Sequence, residues 1–151
     1  MKVMIIMGSQ SDESIMKESA NWLDWFGIPS EIVVASAHRS PDRVRELMVS
    51  AKGNGFGVII AAAGMAAALP GVCAAYTSLP VLGVPLEGGL QGGVDALYSI
   101  VQMPAGIPVG TLAVGKAGAR NAAVLAARIL ALSDNNVHQK LEEFKSLGYK
   151  L

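Results

Sequence analysis

The stretch Ser36-Ala37-His38-Arg39-Ser40-Pro41 brings an imidazole, a guanidinium and two hydroxyls together within six residues. Histidine is the one side chain whose unperturbed pKa lets it both give and take a proton near neutral pH. Arginine adds a permanently charged, forked donor suited to phosphate. Glu31-Ile32-Val33-Val34-Ala35 reads as a strand, and Ser40 followed by Pro41 reads as an N-cap with proline at the first helical position. His38 and Arg39 therefore fall in the turn at a strand's carboxyl end, where open α/β sheets place their ligands. A turn residue that merely caps its neighbours is the bland alternative for His38, and the hexapeptide alone leaves both open.

Gly8-Ser9-Gln10-Ser11-Asp12 follows the first apolar run and opens a helix. Glycine lets the backbone approach a ligand closely, and free amides at a helix N-terminus favour an anion such as phosphate. Ser9 and Ser11 add hydroxyl donors. The Asp12 carboxylate repels phosphate but accepts hydrogen bonds from ribose hydroxyls, so a nucleotide-like ligand would put its phosphate at the serines and its sugar at Asp12. Ser9-x-x-Asp12 is also close to a capping box, which needs no ligand. The small-residue run Ala61–Gly71 permits close approach of either a ligand or a packed helix. The glycine-rich Glu87–Gly93 loop reads as a cover over a site or as a plain connection. His138, among polar residues of the last helix, reads as a solvated surface residue. Cys73, the single cysteine, reads as a small core residue. No Cys/His cluster has metal-ligand spacing, so no metal site is expected.

The elements that must position these groups alternate along the chain. Val3–Met7, Ile32–Ala35, Val58–Ala62, Pro80–Val84 and Val109–Val114 read as strands. Helical patterns cover Glu13–Phe26, closing at Gly27, then Pro41–Asn54, Ala66–Thr77, Val94–Gln102, Asn121–Leu132 and Asn135–Leu147. Val44, Leu47, Met48 and Ala51 form an i, i+3, i+4, i+7 stripe in the second helix. Five short apolar strands separated by helices predict one doubly wound domain over residues 1–151, with a parallel sheet covered on both faces.

Composition narrows the functional classes. The chain is 52% hydrophobic and 16% charged, against roughly 25% charged for an average soluble domain. So little charge points to surface covered by other subunits. Apolar runs are broken by Gly or Pro well short of the ~20 residues a membrane span needs, so no membrane partner is expected. Twelve basic and twelve acidic residues cancel with no basic block, which speaks against nucleic-acid binding. The first strand begins at the third residue, leaving no room for a signal peptide, so the expected location is the cytoplasm.

Taken together, these segments resemble the N5-carboxyaminoimidazole ribonucleotide mutase family of purine biosynthesis. The resemblance rests on Gly8–Asp12, Ser36–Pro41, Ala67-Ala68-Leu69-Pro70-Gly71, Leu79–Pro85, Ser99–Val109 with its Gln102-Met103-Pro104, and Gly118–Ala123, in the family's order and spacing. It implies a three-layer α/β/α, flavodoxin-like fold and a homo-octamer, with the C-terminal helix at about 135–147 used in packing subunits. The implied reaction moves a carboxylate from the exocyclic nitrogen of an aminoimidazole ribonucleotide to a ring carbon, through bound aminoimidazole ribonucleotide and CO2, without cofactor or metal. His38 matches the catalytic general acid/base. Ser9, Asp12 and Arg39 match the family's substrate-binding positions. On that basis Ser11 is expected to join Ser9 and Arg39 on the phosphate side, Asp12 to take the ribose, Ser36 and Ala37 to lie beside them, and Gly64, Ala66 and Leu69 to lend backbone to the carboxylate end. Arg39, where the related CO2-dependent carboxylases have lysine, favours the mutase branch.

The chain departs from the family pattern at four places. Ala68 stands where histidine is usual, Met65 and Ala62 where glycine is usual, and Glu13 where an aromatic often follows the aspartate. Loss of the second imidazole keeps two other readings open. One is a carboxylase or decarboxylase on the same or a similar nucleotide; the other is a nucleotide-binding paralogue with impaired catalysis.

Overall fold

A computed structural model describes residues 1–151. Five strands form one parallel sheet: β1 (Lys2–Met7), β2 (Ser30–Val34), β3 (Phe56–Ala63), β4 (Val81–Pro85) and β5 (Gly110–Thr111), in the order β2-β1-β3-β4-β5. The helices are α1 (Glu13–Trp25), α2 (Pro41–Ala51), α3 (Leu69–Tyr76), α4 (Val94–Val101), α5 (Gly115–Leu130) and α6 (Asn135–Ser146). The expected doubly wound, three-layer arrangement is present. The chain leaves β1 for β2 on one side, then crosses back to β3 on the other. The carboxyl ends of β1 and β3 therefore flank the point where strand order reverses.

All eight residues of β3 are buried, as a strand covered on both faces requires. Alternate side chains feed two cores. Ile5, Met7, Ile60 and Val84 pack with Met16 and Leu23 of α1 and with the alanines of α5. Met4, Ile6, Ile59 and Ala61 pack with Val44 and Met48 of α2, Cys73 of α3 and Ile100 of α4. Cys73 is fully buried, as expected, and burial pushes its thiol up to about 12. One buried polar side chain ties the first core together: the Ser19 hydroxyl of α1 donates to the Ala119 carbonyl of α5 at 2.7 Å.

Several element boundaries differ from the sequence-based expectation, α2 ending at Ala51 rather than Asn54 and β3 spanning Phe56–Ala63 rather than Val58–Ala62 among them. The differences at three further elements have identifiable causes. The helix expected from Ala66 starts at Leu69. Residues 65–68 instead make two tight turns, Ala67 N–H to Met65 O at 2.9 Å and Ala68 N–H to Ala66 O at 2.7 Å. Pro70 then falls in the first helical turn, where its missing N–H costs nothing. The strand expected over Val109–Val114 is confined to Gly110–Thr111, with one further ladder bond from Leu112 N–H to Gly83 O at 2.9 Å. The last strand lies at the sheet edge, and beyond Leu112 the chain already folds back to start a helix. That helix begins at Gly115, not Asn121. A Cβ at Gly118 would lie 1.7 Å from the Ala113 carbonyl oxygen. Glycine there is what lets the chain turn so sharply from strand into helix.

Candidate active site

Three turns at the carboxyl ends of β1, β2 and β3, with the loop after β4, enclose a cleft of about 540 Å³ lined by 17 residues. Ser9, Ser11, Asp12, Ser36, Ala37, His38, Arg39, Gly64, Ala66 and Leu69, all singled out in the sequence, lie on its walls. His138 is exposed on α6 and takes no part.

The turn after β2 is locked by its own hydroxyls. The Ser40 hydroxyl donates to the Ser36 carbonyl at 3.1 Å and accepts from the Ser36 N–H at 3.2 Å. The Arg39 N–H in turn donates to the Ser36 hydroxyl at 3.2 Å. Ser40 occupies the N-cap position of α2, but its side chain makes no bond to that helix. The expected N-cap position and the proline after it are both present, while the hydroxyl itself holds the turn that carries His38 through the backbone of Ser36. His38 is exposed on that turn. The Arg39 guanidinium crosses to the Gly8 carbonyl at 3.5 Å, bridging the turns after β2 and β1.

In the turn after β1, Ser9 caps the short 3₁₀ turn Gln10–Asp12. Its hydroxyl accepts from the Ser11 N–H at 3.3 Å and from the Ser11 hydroxyl at 2.9 Å. The Ser11 hydroxyl also lies 3.3 Å from Asp12 Oδ1. Burial raises the Asp12 carboxyl above its ordinary value, with hydrogen bonds from the Ser11 side chain and the Ser9 backbone partly opposing it. A Cβ at Gly8 would meet nothing within 4 Å, so packing alone does not call for glycine there.

The turn after β3 carries Met65 in the left-handed region, φ 56°. Ala68 lines the cleft, and no histidine other than His38 does. Glu87 and Gly88 also line it; the sequence offers their loop, Glu87–Gly93, as a cover over a site or a plain connection, without singling out either residue. Ala63 pairs with Pro85 across β3 and β4, and Leu86 N–H donates to Ala63 O at 3.0 Å, which delivers Glu87 to the end of β3. Its place just after a strand was the available signal. The rest of this loop is tied down by Asp95, whose Oδ2 accepts from Leu90 N–H at 2.9 Å. A Cβ at Gly89 would fall 2.0 Å from that oxygen, so glycine permits the tether.

Arg39 is the one Lys or Arg on the cleft, facing two carboxylates, Asp12 and Glu87. The charge pattern suits a ligand with an anionic group near Arg39 and hydroxyl or amino donors near the carboxylates. No group of three or more His, Cys, Asp or Glu side chains is placed to hold a metal ion. No helix is long and apolar enough to cross a membrane.

Known proteins give this geometry a family. Residues 2–148 match the family model described as AIR carboxylase. A protein of Vibrio vulnificus named N5-carboxyaminoimidazole ribonucleotide mutase is 58% identical over 146 residues, 97% of this chain and 91% of the relative. An Escherichia coli protein of the same name is 54% identical over 144 residues, 95% and 85% of the two chains. Among solved structures, PurE of Treponema denticola superposes with a TM-score of 0.88 at 28% identity, covering 97% of this chain and 90% of that one. Sequence match along nearly the whole chain and a shared backbone agree: the chain belongs to the AIR carboxylase family.

Proposed function

We infer that this protein is an N5-carboxyaminoimidazole ribonucleotide mutase of purine biosynthesis. The observation that carries the reading is the convergence of His38, Arg39, the Ser9–Asp12 turn and the Gly64–Leu69 turn on one cleft, in a chain 58% identical to a protein bearing that name. Arg39, Ser9 and Ser11 take the phosphate, and Asp12 accepts from the ribose. The open space beside the Gly8 backbone gives the ligand room that a side chain would fill.

The aminoimidazole then lies toward His38 and the Gly64–Leu69 turn. The N–CO2 bond breaks, CO2 stays in the cleft, and the His38 imidazolium gives its proton to the departing nitrogen. The ring carbon attacks CO2, and the now neutral imidazole removes the proton from that carbon. His38 ends protonated as it began, and the substrate has only been isomerised. One imidazole thus serves as acid and then as base. The apolar Ala63, Ala66, Ala67 and Leu69 limit the water that competes for the intermediate. No cofactor or metal is needed. The low charge and the exposed Tyr76, Tyr98 and Val101 on α3 and α4 support assembly of subunits, which the mutase reading takes to be a homo-octamer with α6 contributing to the packing. The same reading puts the enzyme in the cytoplasm.

Ala68 favours a second reading. Without a second imidazole beside the carboxylate, CO2 exchanges with solution and the enzyme works as a carboxylase or decarboxylase. Turnover in labelled bicarbonate decides between them. Product free of label supports the mutase; label incorporated at the rate of turnover supports the carboxylase. A protein that binds the ribonucleotide, turns nothing over and is indifferent to His38→Asn is neither, which would leave the binding paralogue.

A further inference from the structure

Of the seven methionines, four are buried: Met4, Met7, Met16 and Met48 are each at most 2% exposed. Met103 is half-buried, its sulfur against Gly71. Only Met1, at the chain start, and Met65 are exposed, at 67% and 64%. Met65 alone among the seven lines the cleft. Its backbone sits at φ 56°, a conformation that disfavours any side chain bearing a Cβ. Strained residues of this kind persist where the surroundings fix them, and they cluster at functional sites. The turns made by Ala67 and Ala68 hold Met65 in place, with the largest side chain of the Gly64–Ala68 segment presented to solvent at the mouth of the site. The lone cysteine is fully buried, so no accessible thiol competes for an oxidant.

We propose that Met65 is an oxidation site through which hydrogen peroxide reversibly lowers the affinity of the cleft for its nucleotide. The sulfur attacks peroxide, the O–O bond breaks, one oxygen remains on sulfur as the sulfoxide, and water leaves. Sulfur is oxidised and peroxide reduced, with no further reactant. The product places a strong hydrogen-bond acceptor beside Gly64, Ala66 and Leu69, where an apolar thioether stood. The carboxylate of a carboxylated ribonucleotide, which this reading places at the Gly64–Leu69 turn, then meets the negative end of the S–O dipole. A thiol-dependent methionine sulfoxide reductase reverses the change. The proposal deepens the mutase reading and rests on it for the identity of the ligand.

The test titrates purified protein with hydrogen peroxide, maps added oxygen by peptide mass, and measures affinity for 4-carboxy-5-aminoimidazole ribonucleotide, which carries the carboxylate. Each variant is compared with its own untreated value. Met65 and Met1 should gain oxygen first, before the four buried methionines. Affinity should fall about tenfold in step with Met65, the size expected when an unpaired polar group is set against a ligand. It should return on treatment with a methionine sulfoxide reductase. Met65→Leu keeps Met1 as an internal control and should hold its affinity under the same treatment. Met65 staying unmodified while Met1 oxidises overturns the proposal, as does equal loss of affinity in Met65→Leu. Untreated protein that binds no ribonucleotide sinks the mutase reading instead, while the oxidation map still decides the reactivity of Met65.

Discussion

The 17 residues of the cleft include no Phe, Tyr or Trp, whereas at the carboxyl end of α1 one ring, Phe144, faces four others at 5.4–5.9 Å. Trp22, Trp25 and Phe26 of α1, with Phe144 of α6 and Tyr149 beyond it, account for most of the eight aromatic residues of the chain. The two regions solve different problems. The aromatic corner clamps α6 onto the first core by area and edge-to-face contacts, each such pair adding about 0.5–1.5 kcal/mol beyond burial. The cleft is made largely of alanine, glycine and serine on turns, held by local hydrogen bonds between Ser36 and Ser40 and between Ser9 and Ser11. Its polar groups stay partly exposed and so remain free for a ligand. On the proposed function, stability and chemistry fall in separate parts of the chain, and each can be perturbed alone.

His38→Asn is the strongest test of that separation. Turnover should fall by about a hundred- to ten-thousandfold, the usual contribution of a general acid/base. Ribonucleotide affinity and the thermal midpoint should stay near the starting protein. A large fall in the midpoint would show that the turn carries structure as well as chemistry. The complementary change, Phe144→Ala, should cost about 3–5 kcal/mol in urea unfolding, because the removed ring is 3% exposed and contacts four others. Its turnover per folded molecule should change little at temperatures where it stays folded. Loss of turnover in the folded variant would break the comparison.

Ser19→Ala removes the buried bond to the Ala119 carbonyl and should cost about 1–3 kcal/mol, read by the same unfolding curve, again without effect on nucleotide affinity. Asp12 sets a pH effect of definite sign. Its carboxyl is raised above the ordinary 3.8 by burial, so the folded chain takes up this proton at higher pH than the unfolded chain does. Stability from this group therefore grows as pH falls through the raised value, while the hydrogen-bond acceptance from the ribose proposed for it is lost over the same interval. Affinity titrations should show an acid limb above 3.8 that is absent in Asp12→Asn. The smallest effect is expected from Met65→Gly. Relief of the left-handed backbone favours the variant by about 1–2 kcal/mol, and the entropy of glycine opposes it by roughly 0.5–1 kcal/mol. A net gain of under ~1.5 kcal/mol in urea unfolding should follow.

Much of the site was legible because its signals are local. A strand followed by Ser36–Pro41 or by Gly8–Asp12 announces a turn at a strand end, whatever the rest of the chain does. The resemblance to a family rested on the same short segments. Less legible were groups whose role depends on neighbours outside their own window. Asn121–Leu132 has a clean helical pattern, yet α5 starts at Gly115, because Gly118 accepts the Ala113 carbonyl against its backbone. Ser40 is the N-cap residue its place before Pro41 predicts, yet the partner of its hydroxyl is Ser36 and not the helix.

By itself, then, the sequence determined the alternation of strands and helices, the fold class, and which histidine stands beside an arginine at a strand end. Period, turn chemistry and spacing act over a few residues, so they can be read from a few residues. Only the tertiary structure decided that Glu87 and Gly88 share a cleft with His38. That outcome depends on the register of β3 against β4, where Ala63 meets Pro85. It decided likewise that Arg39 reaches the Gly8 carbonyl, because β1 and β2 end side by side, Met7 opposite Val34. Strand pairing joins residues far apart along the chain, and no local pattern carries that information.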